Sequence, residues 1–340
     1  MNTHMNRRLF SRRRLWAGAS LVGTLGIALG VFLWRELNPP ATLSPEARAA
    51  LYQTPLEPPE RGLAVYHLGH SLVGPDMPGY VQQLAQAAGH EGARYHSQLG
   101  WGTSLRAHWE QEHPEASFAE MNTHTSFRPA HEALVSAEYD AFVFTEMVDL
   151  KDAIRWHASG QYAGKWAAHA REHSPEMRLY LYETWHGTDI ADGWLARLEG
   201  DLETLWEGTI LAQAMARPDV GTIHVIPAGQ VMAAFVRALE SEGGLPGLKN
   251  RHGLFIMQPD GTRDPIHLND KGKYLVALVH LTTLYHIDPR GLPHALLRAD
   301  GSAADAPSPE VARLMQEVVW QIVRSLPATG LPQDTGRGGS

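Results

Sequence analysis

Short apolar runs alternate with longer amphipathic stretches along most of the chain. The apolar runs have the length and composition of buried β-strands, and they cover residues 63–68, 93–99, 141–145, 178–182 and 222–226. The amphipathic stretches carry apolar side chains at helical spacing, and they cover residues 78–88, 153–173, 194–215, 231–239 and 271–285. A last helix is predicted to begin at Pro309, because Ser308 can cap it. Residues 111–135 show no clear pattern.

This alternation predicts an α/β fold with a mainly parallel sheet that is covered by helices on both faces. In such sheets, ligands bind beyond the carboxyl ends of the strands. Ser71, Gly100 and Glu146 each lie just past the carboxyl end of a predicted strand. We therefore expect the functional site at this edge of the sheet.

The amino-terminal segment has the pattern of a membrane anchor. Arginines at positions 7, 8, 12, 13 and 14 precede residues 15–34, which carry no charge. A run of this length can span a hydrocarbon core as a helix, and the basic flank predicts that the remainder of the chain is exported. A cleaved signal peptide is the alternative, and the stretch from Ser11 to Leu15 resembles a twin-arginine export signal.

Five regions follow from these patterns. We predict a basic cytoplasmic flank at 1–14, a transmembrane helix or uncleaved signal anchor at 15–34, a proline-rich linker at 35–61, one folded domain at 62–326 and a disordered tail at 327–340. Within the linker, Ser44 and Pro45 favour a short helix over residues 44–52. The folded domain is then expected in the periplasm or another extracytoplasmic space, held at the membrane by the amino-terminal helix.

Composition excludes several classes of protein. The chain has 340 residues, of which 44% are hydrophobic and 19% charged, as in globular domains. The net charge of -8 argues against a nucleic-acid partner, which would normally require a basic face. There is no cysteine, and this excludes disulfides, thiolate metal sites and a cysteine nucleophile.

The 19 histidines raise the question of a metal site. The sequence has no His-Glu-x-x-His motif, and the histidines look scattered through the domain. We therefore predict no metal and no cofactor, with a site built from His67, His70 and a carboxylate as the alternative. The scattered histidines are His67, His70, His90, His96, His108, His113, His124, His131, His169 and His173.

Ser71 and a distant Asp264/His267 pair are the candidates for nucleophilic chemistry. A serine needs a base within hydrogen-bond reach, and histidine is the usual base because its pKa lies near neutrality. The base in turn needs a group that fixes its tautomer. Asp264 and His267 form the only Asp-x-x-His of the chain, and on a turn entering a helix this spacing can bring the carboxylate to the ring.

Each of these residues also has a purely structural interpretation. A serine after a strand is often a helix cap, and Asp264 could be a turn residue with His267 merely on the surface. Val73 stands where the α/β-hydrolase elbow, Gly-x-Ser-x-Gly, has its second glycine. The sequence therefore argues against that family, although not against a serine hydrolase.

Three blocks resemble the SGNH hydrolases, the GDSL-type esterase and lipase superfamily. Residues 69–72, Gly-His-Ser-Leu, are similar to its first block, with histidine in place of the usual aspartate or asparagine. Gly100 resembles the glycine of the second block, and residues 264–269, Asp-Pro-Ile-His-Leu-Asn, resemble the last block. The resemblance covers roughly residues 62–286. It implies a flavodoxin-like three-layer α/β/α sandwich and a Ser71-His267-Asp264 triad, with the Ser71 and Gly100 N–H groups donating to the oxyanion.

The third block departs from that family. Its usual oxyanion-donating asparagine is absent, and the chain reads Thr145-Glu146 at this position. An ionised Glu146 accepts hydrogen bonds and would repel an oxyanion. We therefore weigh Thr145 and a protonated Glu146 as further contributors, beside a hole built from Ser71 and Gly100 alone.

The resemblance predicts an enzyme that hydrolyses a carboxylic ester or transfers its acyl group. A small ester or an acylated carbohydrate is the expected partner, with O-acetyl groups on envelope glycans as one candidate. Trp101, Trp185 and His186 could line the substrate surface or could be ordinary packing residues. Two alternatives stay open, a catalytically silent domain that binds glycan or acts as a scaffold, and a metal-dependent hydrolase.

Overall fold

The computed structural model describes residues 40–112 and 114–333, and only the backbone of residues 115–117. The predicted segments 1–14 and 15–34 lie outside the described residues. Among the helices of the described part, none is long and apolar enough to cross a membrane. Residues 42–333 belong to one compact unit, which carries every element discussed below.

Helices and strands alternate through this unit. A seven-residue helix comes first and is capped by the Ser44 hydroxyl, as expected. The helices are α1 Pro45–Leu51, α2 Asp76–Ala87, α3 Leu105–Glu110, α4 Glu115–Met121, α5 Ala130–Val135, α6 Leu150–His157, α7 Ser159–His173, α8 Trp194–Asp201, α9 Ala228–Ser241, α10 Asp270–Tyr285 and α11 Pro309–Ser325. The strands are β1 Ala64–His70, β2 Arg94–Gly100, β3 Ala141–Phe144, β4 Arg178–Glu183, β5 Ile223–Pro227, β6 Phe255–Met257 and β7 Arg263–Leu268. Helix α8 continues as a π-helix, Leu202–Leu211, and a last α-helical turn, Ala212–Ala214.

The central sheet has the strand order β2-β1-β3-β4-β5, and all of its pairs are parallel. This is the order of the flavodoxin-like doubly wound fold. All five strands predicted from the apolar runs are present. In the ladder between β1 and β2, His70 lies opposite Gly100, so the residue after β1, Ser71, emerges beside the end of β2.

Two apolar clusters cover the two faces of the sheet. One contains side chains from α2, α8, α9, α10 and α11, and the other contains side chains from α3, α5, α7 and the π-helix Leu202–Leu211. Strand residues alternate between the clusters, with Val65 in the first and Tyr66 and Leu68 in the second. The mainly parallel sheet between two layers of helices is thus confirmed, since burial on both faces explains why the strands read as continuous apolar runs.

Several local predictions need correction. The stretch with Asp264 and His267 was expected on a turn entering a helix, but it forms β7, which pairs with β6 in an antiparallel hairpin. The helix predicted over 153–173 is divided into α6 and α7 at Ala158, whose φ is 52°. Residues 111–135, which had no predicted structure, contain α4 and α5.

Parts of the predicted linker and tail pack on the domain. The Tyr52 hydroxyl donates to the Ile223 carbonyl at 2.9 Å, and the Leu56 N–H donates to the Gly330 carbonyl at 2.8 Å. Residues 327–329 form a 3₁₀ turn in which Ala328 and Thr329 are buried. The folded unit therefore extends beyond the predicted limits of 62 and 326 in both directions.

Candidate active site

Ser71, His267 and Asp264 form a continuous series of hydrogen bonds. Ser71 Oγ lies 3.0 Å from His267 Nε2, although 196 residues separate the two in the chain. On the other side of the ring, His267 Nδ1 lies 3.0 Å from Asp264 Oδ2. The turn after β1 supplies the serine, and the hairpin strand β7 supplies the histidine and the aspartate. This arrangement brings a hydroxyl, an imidazole and a carboxylate into the order that an activated serine requires.

Backbone N–H groups hold the Asp264 carboxylate in place. Its Oδ1 accepts hydrogen bonds from the N–H groups of Ile266 and His267, each at 2.8 Å. Its Oδ2 also accepts a hydrogen bond from Gln258 Nε2 at 3.1 Å, across the hairpin. Burial alone would raise the pKa of Asp264, but the hydrogen bonds from the His267 and Ile266 N–H groups and from the imidazole hold it below the usual range. The carboxylate is therefore ionised at neutral pH and oriented towards the ring.

His70 closes the turn that carries Ser71. Its Nδ1 accepts the Leu72 N–H at 3.3 Å, and its Nε2 lies 2.9 Å from the Glu146 carbonyl oxygen, which can only accept. These partners assign the proton to Nε2. Burial lowers the pKa of His70 to about 4, so the ring is neutral near pH 7 and suits both partners at once.

A second histidine holds the strand end just before this turn. His108 Nε2 lies 2.8 Å from the Gly69 carbonyl oxygen, and His108 Nδ1 lies 3.0 Å from Gln98 Nε2. Gln98 Oε1 in turn accepts the Ala130 N–H at 2.8 Å. The backbone that leads into Ser71 is thus hydrogen-bonded to a side chain of α3, which a side chain of β2 holds in turn.

Two glycines allow the close packing around the serine. A Cβ on Gly69 would lie 2.7 Å from Thr145 Cγ2 and 2.8 Å from Val73 Cγ2. A Cβ on Gly100 would lie 2.1 Å from Thr103 Oγ1. Both positions therefore favour glycine, because a Cβ would overlap the side chains of Thr145 and Val73 at one position and of Thr103 at the other.

The side chains of Thr145 and Glu146 form hydrogen bonds with backbone groups and not with Ser71. Thr145 Oγ1 donates to the Tyr182 carbonyl at 2.7 Å. Glu146 Oε1 accepts the N–H groups of Leu105 at 3.2 Å and Met147 at 2.8 Å. Neither side chain lines the cavity beside Ser71, and the Thr145 hydroxyl and Glu146 Oε1 are both engaged with backbone groups.

Glu146 is fully buried at the start of α3. Burial raises its pKa to about 7, although hydrogen bonds from the Met147 and Leu105 N–H groups act in the opposite direction. Its Oε1 binds the first N–H of α3, where the unpaired amide groups of a helix favour a carboxyl oxygen. The residue thus anchors α3 to the end of β3.

An open cavity of about 470 Å³ lies beside Ser71 and His267. Its size falls within the range of small-molecule sites. Its apolar lining includes Leu72, Val73, Met77, Met121, Leu268 and Val276. Apolar walls beside a nucleophile suit the hydrocarbon part of a substrate.

Both candidate tryptophans line this cavity. Trp101 is 45% exposed, and its ring lies edge-on to His267 with 5.7 Å between the ring centroids. Trp185 is buried, and its Nε1 donates to the Ile266 carbonyl at 2.7 Å. Trp101 therefore stands at the open side of the cavity, and Trp185 supports the hairpin that carries Asp264.

His186 lies outside this cavity. It is buried and its Nε2 lies 2.8 Å from Asp201 Oδ2, in an ion-pair cluster with Arg197. The Trp194 Nε1–H also donates to its backbone carbonyl at 2.8 Å. These contacts connect the loop after β4 to α8, which is a packing role.

The residues that the sequence could not identify are those whose contacts arise only in the folded chain. Gln258 lies six residues before Asp264 and touches it only because β6 and β7 pair. His108 was grouped with the scattered histidines, and its contact with Gly69 joins residues 39 positions apart. No short motif carries such contacts, since they depend on the folded arrangement of α3 and β1.

The chain resembles solved structures in fold. No protein-family model and no curated protein matches it. A DUF4886 family protein from Bacteroides uniformis ATCC 8492 aligns with a TM-score of 0.50 and 17% sequence identity, over 77% of this chain and 95% of that chain. A protein described as a GDSL-like lipase from Parabacteroides merdae ATCC 43184 aligns with a TM-score of 0.41 and 11% identity, over 66% and 96% of the two chains. At such identities, the likeness to the DUF4886 protein shows a shared fold alone.

Proposed function

We propose that the chain is a serine esterase of SGNH type, with Ser71 as nucleophile, His267 as base and Asp264 as the group that orients the base. The observation that carries this proposal is the unbroken series of hydrogen bonds from Ser71 Oγ through His267 to Asp264, with 3.0 Å at each step. The series opens onto a cavity large enough for a small-molecule substrate.

The reaction follows from the positions of these atoms. As Ser71 Oγ forms a bond to the ester carbonyl carbon, His267 Nε2 takes the hydroxyl proton and then gives it to the departing alkoxide. Water attacks the acyl-serine, His267 takes a proton from the water, and Ser71 regains its proton as the acid leaves. Asp264 keeps the other ring proton on Nδ1 and stabilises the imidazolium.

The oxyanion hole is proposed to consist of the Ser71 and Gly100 N–H groups. Gly100 lies opposite His70 in the ladder, and His70 is the residue just before the nucleophile. Thr145 and Glu146 bind backbone groups elsewhere, which supports a hole made of main-chain donors. Loss of one such donor typically lowers the rate by about 10²–10³, so a hole without the side-chain donor predicts a modest turnover number.

The proposed substrate is a carboxylic ester whose acyl or alcohol part contacts an apolar wall. Acetyl groups on envelope glycans are candidates, with Trp101 at the mouth to stack on a sugar ring. Transfer of the acyl group to a sugar instead of water is the close variant. Export and membrane anchoring by residues 15–34 are part of the proposal, and the support for them is the arginine-flanked uncharged run in the sequence.

A catalytically silent glycan-binding domain is the second candidate. It is favoured by one observation, namely that the Thr145 hydroxyl and Glu146 Oε1, at the strand end of β3, are engaged with backbone groups. A silent domain would keep the cavity and the tryptophans but would not turn over esters.

Hydrolysis of p-nitrophenyl acetate by the purified chain tests the esterase proposal. The wild-type chain should hydrolyse it, and Ser71→Ala should abolish hydrolysis while the thermal unfolding temperature changes little. Ser241→Ala is the matched control, because Ser241 is exposed at the end of α9. Equal turnover by wild type and Ser71→Ala would refute the assignment, and absence of turnover in all three chains would favour the silent domain.

A further inference from the structure

The carboxyl-terminal turns of α7 bring together His169, Glu172 and His173. Both histidines look scattered in the sequence, from which we predict no metal. However, they are the only histidines of the chain that are four residues apart. On a helix, residues at this spacing lie on the same face, one turn apart.

The three side chains can reach a common point. One donor atom from each residue lies within 4.8 Å of the donor atoms of the other two. The His169 and His173 ring centroids are 5.1 Å apart. Bonds of about 2.1 Å to a tetrahedral zinc ion would place the donors about 3.4 Å apart. Coordination would therefore bring the donor atoms closer together by at most about 1.4 Å.

Hydrogen bonding leaves imidazole nitrogens available for a ligand. His173 Nδ1 lies 3.0 Å from the His169 carbonyl oxygen, which assigns the ring proton to Nδ1 and leaves Nε2 as the donor atom. Metal-binding histidines commonly use one ring N–H in this way. His169 Nε2 is buried and has no hydrogen-bond partner among the described residues. A buried nitrogen without a partner is unfavourable, and coordination of a cation would remove that cost.

The space beside this cluster is open and is not filled by a cation. A cavity of about 650 Å³ is lined by His169 and Glu172. The cations that border it are engaged elsewhere: Lys165 lies over aromatic rings, Arg171 donates to backbone carbonyls and Arg217 pairs with an aspartate. A divalent ion can therefore enter the cavity beside His169 and Glu172 from solvent.

We propose that His169, Glu172 and His173 form a binding site for a divalent transition-metal cation of the zinc type. Two imidazoles and a carboxylate are donors that suit this ion, and water would complete the tetrahedron. Helix α7 ends before the start of β4, so the cluster lies at the edge of the sheet opposite to Ser71. The site is thus independent of the proposed esterase reaction, and it would fix the last turns of α7.

Zinc titration by isothermal calorimetry tests this proposal directly. The full chain, made without a polyhistidine tag and treated with chelator, should bind one zinc ion per chain in a saturable manner. Loss of second-sphere partners already weakens metal binding about 10–100-fold, so His173→Ala should weaken zinc binding by at least about a hundredfold. His252→Ala is the matched control and should leave the affinity unchanged, because His252 is exposed on the turn before β6.

A second variant keeps the test decisive if His173→Ala folds poorly. Glu172 is exposed, so Glu172→Gln should fold normally and bind zinc at least about tenfold more weakly than wild type. Zinc should also raise the unfolding temperature of wild type but not that of His173→Ala, because a ligand of the native state stabilises it. Equal zinc affinity in wild type and both variants, or no saturable binding by wild type, would overturn the proposal.

Discussion

Asp264 binds His267 twice, through the backbone N–H at 2.8 Å and through the imidazole Nδ1 at 3.0 Å. One carboxylate oxygen is used for each contact. The same side chain therefore fixes both the position of the histidine backbone and the direction of its ring. A spacing of three residues therefore suffices on a strand, because Asp264 Oδ1 accepts the Ile266 and His267 N–H groups while Oδ2 remains beside the ring.

Replacement of Asp264 by asparagine should favour the wrong tautomer of His267. The asparagine Oδ1 can still accept the two backbone N–H groups, but its NH₂ group would meet His267 Nδ1–H. The ring is then expected to carry its proton on Nε2 instead of Nδ1, so that it cannot accept the Ser71 proton. The kcat for p-nitrophenyl acetate should therefore fall by about 10³–10⁴. Asp260→Asn, in the exposed turn of the same hairpin, is the control and should retain full activity. A loss below tenfold in Asp264→Asn would contradict the assigned role.

His70 should be replaceable by asparagine but not by alanine. Asparagine can accept the Leu72 N–H and has an NH₂ group to offer towards the Glu146 carbonyl. Alanine leaves the Leu72 N–H and the Glu146 carbonyl without this hydrogen-bond partner, and each unpaired buried group costs about 1–3 kcal/mol. His70→Ala should lower kcat with little change in KM, because the turn that holds Ser71 loosens, and His70→Asn should recover most of kcat. A wild-type kcat in His70→Ala would show that the ring has no positioning role.

A side chain at position 100 should lower kcat, because it displaces a proposed oxyanion donor. The Cβ of Gly100→Ala would overlap Thr103 Oγ1, so the end of β2 must shift and carry the Gly100 N–H with it. We expect kcat to fall by about a hundredfold, the typical effect of one lost oxyanion donor. Gly200→Ala, where a Cβ meets open space, is the control and should leave kcat unchanged. Wild-type turnover in Gly100→Ala would remove this amide from the proposed hole.

Glu146 should make stability fall as the pH rises. Its folded-state pKa is raised from 4.5 to about 7 by burial, so between these values the folded state holds a proton that the unfolded state has lost. The unfolded state therefore gains on the folded state as pH increases through this window. Glu146→Gln removes the titration and keeps an acceptor for the Leu105 and Met147 N–H groups.

Urea unfolding of both chains at pH 5 and pH 8 measures this effect. The free energy of unfolding of Glu146→Gln, relative to wild type, should increase by about 2–3 kcal/mol between the two pH values. Titration of all other groups cancels in this difference. A relative stability that is constant or decreases with pH would contradict a raised pKa at Glu146.

Much of the sheet could be predicted from the sequence, because strands buried on both faces leave continuous apolar runs. The hairpin could not, since β6 has only three residues and β7 contains Pro265. The division between α6 and α7 rests on Ala158 in the left-handed region, a conformation that alanine rarely adopts. The packing of Tyr52, Leu56 and residues 328–331 could not be predicted, because it depends on contacts with β5 and between the two ends of the folded unit.

In the candidate site, too, some residues could be predicted from the sequence and others could not. Ser71, Asp264 and His267 could be named because they fall in short motifs with a chemical reason for their spacing. The neighbours of Glu146 could not, since its carboxyl group binds the first N–H of α3 from a residue 41 positions away. The sequence position suggested an oxyanion donor there, while the fold uses that position to start a helix.

Covalent labelling by a fluorophosphonate, followed by mass spectrometry of the digested chain, tests the central claim most directly. Only a serine activated by a base reacts with this probe at an appreciable rate. We predict one adduct per chain, on the peptide that contains Ser71, with labelling lost in Ser71→Ala and strongly slowed in Asp264→Asn. An unlabelled wild-type chain, or an adduct on another serine that persists in Ser71→Ala, would contradict the account.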